Sequence, residues 1–271
     1  MIKDNTIIIK KGVSSGKTVG IFCGVHGNEE AGIEAVKRII KNIEIISGKV
    51  YFVFANPEAI RKKVRYIEKN LNRCFFKNNK GKTIEDRRAV ELLNILDECE
   101  ILLDIHASNN SQSVPFVICE KDGYDIAKKL DFEIISSGWD EFEPGATDGY
   151  MFNNGKIGIC LECGSILDYE NGSNLAEKSI YQFLTYTQNI ISDIKYDEKP
   201  KRFLKIIRME RKETKSLSFS REYKDFEILI EGEIFAKDGE KEYVAGKDEC
   251  IIFPNSNKKI GEEIFLIGKF I

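Results

Sequence analysis

The sequence predicts an α/β domain built on a sheet that is at least partly parallel, followed by a small all-β domain. Over roughly the first 195 residues, apolar runs rich in β-branched residues alternate with segments of helical periodicity. A charged segment with a proline, residues 196–202, then interrupts this alternation. Beyond it, short apolar segments are separated by turn signals and show no helical periodicity. The predicted domains are therefore residues 1–198 and 199–271.

The first elements follow from local residue patterns. Residues 18–25 are apolar and β-rich and end at a glycine and a polar turn, which predicts a buried strand. Residues 29–46 place alanine and isoleucine at helical spacing, which predicts a helix. A second strand, residues 50–54, is stopped by Asn56 and Pro57. The order strand, turn, helix, strand is typical of α/β proteins.

The later elements are predicted in the same way. A helix at residues 83–99 begins at Thr83, which stands three residues before Asp86 in the pattern of a capping box. The other elements of the first domain are strands at 101–105, 114–119, 132–136 and 156–161 and a long amphipathic helix at 174–194. Strands of the second domain are predicted at 226–230, 233–236 and 250–253.

The composition excludes several function classes. Forty-one basic and forty-four acidic residues give a net charge of −3, so there is no basic surplus to bind nucleic acid. The apolar run at residues 7–9 is too short for a signal segment or a membrane span. Seven cysteines are an odd number and form no small-domain disulfide framework. We therefore expect a cytoplasmic protein with neither nucleic acid nor a membrane as its partner.

The chain has only two histidines, and the first lies in a turn beside a carboxylate. His26 and Glu29 are three residues apart where the first strand ends and the first helix begins. Gly24 and Gly27 let the backbone bend so that both side chains can converge. This pair is either the start of a zinc site or a histidine and a glutamate that cap a helix, and these residues alone favour neither interpretation.

The second histidine favours the metal interpretation. His106 comes at the end of the strand predicted at 101–105, so both histidines occupy equivalent positions at strand ends. Two histidines and Glu29, with a fourth position left for water, are the expected ligands of a catalytic zinc ion. Asp104 points to the same face as His106 and either orients this ligand or is a surface carboxylate.

Two further groups of residues carry chemistry. Glu162 lies at the end of an apolar strand, where a carboxylate is costly to bury unless it is functional or partnered. Zinc hydrolases need a base, and Glu162 is the candidate. Arg65 and Arg73 have the rigid fork that binds a carboxylate, and Asn70 and Asn72 supply neutral donors beside them. Arginines on an ordinary surface are the alternative interpretation.

Five short motifs, taken together and in order, carry a family resemblance. They are GVHGNE at 24–29, NPEA at 56–59, the segment 65–75, DIH at 104–106 and LECG at 161–164. With these motifs the chain resembles the succinylglutamate desuccinylase/aspartoacylase family of zinc carboxypeptidase-like hydrolases over about residues 21–189. The resemblance implies a carboxypeptidase-like α/β/α sandwich with a mixed sheet, followed by a small all-β domain.

The resemblance also implies a metal site and a reaction. His26, Glu29 and His106 would hold one Zn²⁺ per chain, and Glu162 would act as general base and then general acid. The reaction would be hydrolysis of the amide bond of a small N-acyl amino acid, releasing a carboxylic acid and a free amino acid. With both histidines assigned to the metal, the proton transfers fall to a carboxylate.

The resemblance also implies that the arginines and asparagines of segment 65–75, here called the third group, bind the substrate. Arg65 would polarise the scissile carbonyl, and Asn72 and Arg73 would hold the α-carboxylate, with Asn70 beside them. Aspartoacylases carry an arginine shortly before the catalytic glutamate, but the matching stretch here contains Asp148. Unless a lysine substitutes for that arginine, this departure predicts a neutral or cationic N-acyl amino acid instead of N-acetylaspartate or succinylglutamate.

Other functions and assemblies stay open at this point. The alternatives are a metallocarboxypeptidase acting on short peptides, a non-enzymatic zinc-binding module, and a deacylase acting on a larger ligand such as a nucleotide sugar or a peptidoglycan fragment. A homo-oligomer is also open. Tyr243 is the nearest candidate for the family's C-terminal active-site tyrosine.

Overall fold

An eleven-stranded mixed sheet runs through the computed structural model, which describes residues 6–271. The strands are β1 (Ile7–Lys11), β2 (Ser14–Cys23), β3 (Ser47–Phe54), β4 (Ile101–Ser108), β5 (Phe116–Cys119), β6 (Ile134–Ser137), β7 (Ile157–Ser165), β8 (Arg202–Arg211), β9 (Ser218–Phe219), β10 (Glu227–Ile228), β11 (Ile234–Asp238), β12 (Lys241–Val244), β13 (Glu249–Ile252) and β14 (Glu263–Phe270). The order in the large sheet is β1-β3-β2-β4-β7-β5-β6-β8-β14-β13-β10. Strands β12-β11-β9 form a second, smaller sheet.

Helices cover both faces of the first part of the sheet. They are α1 (Glu30–Ile39), α2 (Pro57–Lys62), α3 (Ile84–Glu98), α4 (Tyr124–Ala127), α5 (Thr147–Asn153) and α6 (Tyr169–Tyr186). Within β2, Ile21 packs in one apolar cluster with residues of α1 and α6, whereas the next residue, Phe22, packs in the opposite cluster with residues of α3 and α5. This alternation, expected for a strand buried on both faces, confirms the predicted α/β/α sandwich.

The centre of the sheet explains where functional groups gather. Strands β3, β2, β4 and β7 are parallel neighbours, and β5 joins β7 in the antiparallel direction. All eight residues of β4 are buried. In the pairing of β4 with β7, His106 lies directly opposite Glu162. The parallel arrangement thus brings the ends of β2, β4 and β7 to the same edge of the sheet.

The C-terminal region is all β within the described residues, as predicted, but it is joined to the main sheet. Strand β8 pairs in parallel with β6, where Ile134 lies opposite Arg202, and β14, β13 and β10 continue the sheet beyond it. Strands β8 and β14 are ten and eight residues long, and neither was among the predicted strands. The division at residue 198 stays a prediction.

Two predicted helices have different bounds in the structure. The helix predicted at 29–46 ends at Ile39, although Ile43 and Ile45 beyond it are still buried in the core. The helix predicted at 174–194 is α6, which ends at Tyr186. Its continuation is stopped by Gln188, whose φ of 62° is left-handed.

The predicted cap of α3 is present in the structure. At the start of α3, Thr83 Oγ1 accepts a hydrogen bond from the backbone N–H of Asp86, and Asp86 Oδ2 accepts one from that of Thr83, at 3.0 and 3.1 Å. This is the predicted capping box.

All seven cysteines are buried, free thiols. None of the helices in residues 6–271 has the length and apolar character needed to span a membrane.

Candidate active site

The turn after β2 is shaped by two glycines. Gly24 has a left-handed φ of 65°, a conformation that favours glycine. A Cβ on Gly27 would lie 2.1 Å from the carbonyl carbon of Ala59, so only glycine lets this turn approach α2 so closely. The turn directs the side chains of His26 and Glu29 toward the end of β4.

Three side chains converge where β2 and β4 end. His26 Nδ1 lies 2.7 Å from Glu29 Oε1, and His106 Nδ1 lies 3.0 Å from Glu29 Oε2. The two histidine Nδ1 atoms are 3.3 Å apart. All three residues are at least 97% buried, with exposures of 3%, 2% and 2% for His26, Glu29 and His106. The structure therefore brings the three predicted metal ligands together, within 4.8 Å of one another.

The outer nitrogen of each histidine is held by a second residue. His26 Nε2 donates to Asn70 Oδ1 at 2.9 Å, and His106 Nε2 donates to Asp104 Oδ2 at 3.0 Å. Asp104 in turn accepts a hydrogen bond from Thr147 Oγ1. With Nε2 donating to these partners, each ring turns Nδ1 toward Glu29. Two imidazole nitrogens and a carboxylate that converge on one point need a shared cation, which is a proton on a ring or a metal ion, so these donors fit a metal ion.

Burial and the charges of neighbouring groups shift the pKa values of all three residues. Although burial alone raises the pKa of Glu29, the two histidines hold it well below its usual range. Burial lowers the pKa of His106, but the carboxylates of Asp104 and Glu29 outweigh this effect and raise it well above the usual value. Burial dominates at His26 and lowers its pKa, against the opposing charge of Glu29. The carboxylate of Glu29 is thus held in the ionised form that binds a cation.

Glu162 projects into the same cavity from β7. Its Oε2 is buried and has no hydrogen-bond partner among residues 6–271. Burial raises the pKa of Glu162 to about 8, while the charge of His106 lowers it and that of Glu29 raises it. An unpartnered carboxyl group that holds a proton near neutral pH is the kind of group that general acid–base catalysis uses.

The cavity has a volume of about 780 Å³ and is also lined by the arginines and asparagines of the third group. Arg65 Nη1 donates to Glu29 Oε1 at 2.9 Å, so its guanidinium group lies beside the three converging residues. Arg73 forms an ion pair with Glu143, and Asn72 Oδ1 accepts from the backbone N–H of Thr147 at 3.3 Å. These placements put the side chains at the cavity; their roles toward a substrate stay predictions.

Asn70 occupies a place that the sequence did not indicate. Its amide oxygen accepts hydrogen bonds from His26 Nε2 and from the backbone N–H of Asn72, both at 2.9 Å. The side chain is therefore already engaged with a candidate metal ligand. Substrate binding by Asn70 stays a prediction, and the contact that the structure shows is with His26.

The C-terminal region supplies one wall of the cavity, and the residues that form this wall were not predicted from the sequence. Residues of this wall include Arg211, Phe253, Lys258 and Glu263. No motif marks them, because they reach the cavity only through the pairing of β8 with the main sheet. Tyr243 was a wrong candidate for this wall: it is 2% exposed and packs with Phe235 and Phe265 in the core behind the small sheet.

Carboxylates also line the cavity where the departure from the family pattern was noted. Asp148, at the start of α5, lies beside Asp140 in the cavity wall. Burial raises the pKa of Asp148 to about 6, and the nearby charge of Asp104 adds to the effect. The sequence has Asp148 and no arginine at this position, but the cavity is also lined by the basic side chains of Arg211 and Lys258.

Two family models match the chain. The model of the succinylglutamate desuccinylase/aspartoacylase catalytic domain matches residues 15–194. The model of the AstE/AspA barrel-sandwich hybrid domain matches residues 202–269. Together they account for nearly all of the described chain.

Individual relatives give the same picture. The succinylglutamate desuccinylase of Vibrio campbellii is 28% identical over 285 aligned positions, which cover 93% of this chain and 80% of that protein. The solved structure of succinylglutamate desuccinylase from Vibrio parahaemolyticus has a TM-score of 0.77 at 23% identity, covering 94% of this chain and 82% of the other. The product-bound ectoine utilization protein from Ruegeria pomeroyi has a TM-score of 0.76 at 18% identity, covering 97% and 88%. At these identities the structural matches show the fold.

Proposed function

The chain belongs to the succinylglutamate desuccinylase/aspartoacylase family, and from this premise we propose that it is a zinc-dependent amidohydrolase acting on a small N-acyl amino acid. It would release a carboxylic acid and a free amino acid. One observation carries the proposal: His26, Glu29 and His106 converge at the wall of a cavity into which Glu162 also projects. Relatives bearing the name succinylglutamate desuccinylase support the class of reaction.

In this proposal, one zinc ion is held by His26 Nδ1, His106 Nδ1 and the Glu29 carboxylate. Zinc bound there supplies Lewis acidity, which polarises an amide carbonyl and brings the pKa of a water molecule down to roughly 7. Asn70 and Asp104 keep the two imidazole rings in the required tautomer through their bonds to Nε2. Three protein ligands leave a further coordination position, which is typical of catalytic and not of structural zinc sites.

Glu162 carries the proton in the proposed reaction. Its carboxylate takes a proton from the attacking water as the new C–O bond forms at the amide carbon. It then gives that proton to the leaving nitrogen as the C–N bond breaks, so that the amine departs neutral. Burial raises the pKa of Glu162 in the metal-free chain and so favours its protonated form, whereas a cation bound nearby would favour the carboxylate that the first step needs.

The arginines and asparagines orient the substrate in the proposal. Arg65, beside Glu29, is placed to donate to the scissile carbonyl oxygen as negative charge develops on it. Arg73 and Asn72 bind the α-carboxylate, and Arg73 must then exchange Glu143 for this carboxylate. Arg73 is thus paired with a carboxylate both before and after the substrate binds.

The cavity wall bears on the substrate side chain. Asp140 and Asp148 are carboxylates, and a second carboxylate on the substrate would be repelled by them. We therefore expect a neutral or cationic side chain on the N-acyl amino acid, unless Lys258, which lines the same cavity, binds a second carboxylate. Efficient hydrolysis of N-acetylaspartate, with none of N-acetyl basic amino acids, would contradict this part of the proposal.

A substrate screen with zinc supplied tests the function. N-acetyl and N-succinyl amino acids are assayed for release of the free amino acid beside a matched series of dipeptides, with zinc content measured by elemental analysis. We expect about one zinc per chain and turnover of N-acyl amino acids. Faster turnover of dipeptides would identify a peptidase, and zinc binding without any turnover would identify a binding module.

A further inference from the structure

Glu85, in the first turn of α3, is 0% exposed and bonds the main chain of a neighbouring loop. Its Oε1 accepts from the backbone N–H of Ile67 at 2.6 Å, and its Oε2 accepts from those of Glu68 and Lys69 at 3.2 Å. Asn56 Nδ2 is a fourth donor at 3.5 Å. A carboxylate is stable at such a depth only because these donors replace water.

The loop that Glu85 holds, residues 64–70, carries two residues of the candidate site. Arg65, near one end, donates to Glu29 at 2.9 Å. Asn70, at the other end, accepts from His26 Nε2 at 2.9 Å. The loop contains neither helix nor strand, so its main-chain N–H groups have no regular ladder to fix them. The position of Arg65 and Asn70 therefore depends on what the middle of the loop is bonded to.

Two further contacts tie the same loop to the same turn of helix. Glu68 Oε2 accepts from the backbone N–H of Ile84 at 2.7 Å, and Lys69 Nζ donates to Asp86 Oδ1 at 3.0 Å. Both involve exposed or partly exposed groups, whereas the Glu85 carboxylate is buried. Losing the charge on Glu85 should therefore loosen the loop without detaching it.

We propose that Glu85 is a positioning residue for the active site, acting through the loop 64–70 on Arg65 and on the Asn70–His26 bond. Glutamine at this position has one acceptor oxygen and turns an NH₂ group toward main-chain N–H donors, so it cannot hold all three. As far as it concerns catalysis, the inference rests on the proposed function. As far as it concerns the metal, it rests on the geometry around His26 and Glu29.

Glu85→Gln and the control Thr83→Ala test the proposal. Thr83→Ala removes the cap of the same helix but no contact with the loop. For Glu85→Gln we expect zinc affinity, measured by competition with a chelator, to fall about 10–100-fold, the range for residues that orient metal ligands. With saturating zinc, we expect kcat for the best N-acyl substrate to fall about 10-fold or more and KM to change much less, because Arg73 is not on this loop. The absorption spectrum of the Co²⁺-substituted protein should shift, and Thr83→Ala should leave all four quantities unchanged.

The outcomes distinguish positioning from simple stability. If Glu85→Gln loses stability as Thr83→Ala does but keeps zinc affinity, cobalt spectrum and kcat, the proposal is overturned. If Glu85→Gln does not fold, Glu85→Asp keeps the charge with a shorter reach, and wild-type values for it would overturn the proposal equally. If the wild type hydrolyses no N-acyl amino acid, the proposed function fails, while zinc affinity and the cobalt spectrum still decide the role of Glu85.

Discussion

Replacement of Glu162 by glutamine separates proton transfer from metal binding. Glutamine keeps the size of the side chain but can neither take nor return a proton. Because general acid–base catalysis contributes about 10²–10⁴-fold, we expect kcat to fall by a factor in this range or more. Zinc content should stay near one per chain, since Glu162 is not among the three converging ligand residues. Wild-type turnover by this variant would remove Glu162 from the mechanism.

The same variant should lose activity but gain stability at high pH. Burial raises the pKa of Glu162 to about 8 from a usual value of 4.5. Between these values the folded chain holds a proton that the unfolded chain has lost, so stability falls as the pH rises through this window. One pKa unit corresponds to about 1.4 kcal/mol, so the penalty above pH 8 has a ceiling on the order of 5 kcal/mol. Water that enters the cavity reduces this penalty. We therefore expect the free energies of unfolding of wild type and variant to differ by about 1–3 kcal/mol above pH 8.

Urea unfolding of chelator-treated wild type and Glu162→Gln, at pH 4 and at pH 9, measures this effect. At pH 4 the wild-type carboxyl group is largely protonated in both states, so the two proteins should have nearly equal free energies of unfolding. At pH 9 the variant should be the more stable. An equal difference at both pH values would show that buried ionised Glu162 carries no penalty and would refute the reasoning from burial.

Three further substitutions, with Gly155→Ala as a control, test the metal site and the turn that forms it. His106→Ala should reduce zinc content well below one per chain in elemental analysis, and unchanged content would show that His106 is not a ligand. Asp104→Asn should leave zinc bound but weaken its affinity about 10–100-fold in chelator competition, because an amide orients the His106 ring less strongly than a carboxylate does. Gly27→Ala places a Cβ 2.1 Å from the main chain of Ala59 and should lower the free energy of unfolding by about 3 kcal/mol or more. Gly155→Ala, where a Cβ would have no atom of residues 6–271 within 4 Å and the only cost is the left-handed φ of 69°, should cost less in the same denaturation assay.

The convergence of the site was predictable because it follows from topology. His26 comes just after β2 and His106 lies near the end of β4, and these two strands are parallel neighbours. The carboxyl ends of parallel neighbours meet at one edge, so strand order and residue type were sufficient. Glu162 is on the next strand, directly opposite His106. The capping box at Thr83 was predictable for a different reason, since both partners lie within four residues of chain.

The contacts that support the site were not predictable in this way. Asn70 and His26 are 44 residues apart, and their contact depends on the path of a loop without regular structure. Glu85 stands in the first turn of a helix, where a glutamate is ordinarily an exposed group that favours the helix dipole. Nothing in its local sequence shows that it is buried under another loop.

The extent of the large sheet was missed because its pairing is distant in sequence. Strand β8 has the sequence RFLKIIRMER, in which charged and apolar residues are mixed, so no clean alternation marks it as a strand. Its partner β6 lies more than sixty residues earlier, with Ile134 opposite Arg202. A strand of this kind is stabilised by its neighbours more than by its own propensity. The residues that this region contributes to the cavity wall were missed for the same reason.

The structure gives a contact to each of the four ring nitrogens of the two histidines. In both rings Nε2 is bonded to a neighbour, Asn70 for His26 and Asp104 for His106, and Nδ1 faces Glu29. The chain contains no third histidine. No imidazole nitrogen is therefore free to exchange a proton with a substrate. Among residues 6–271, Glu162 lines the cavity and combines a pKa raised to about 8 with an unpartnered oxygen, and we therefore propose this carboxylate as the group that carries the proton in a hydrolytic reaction at this site.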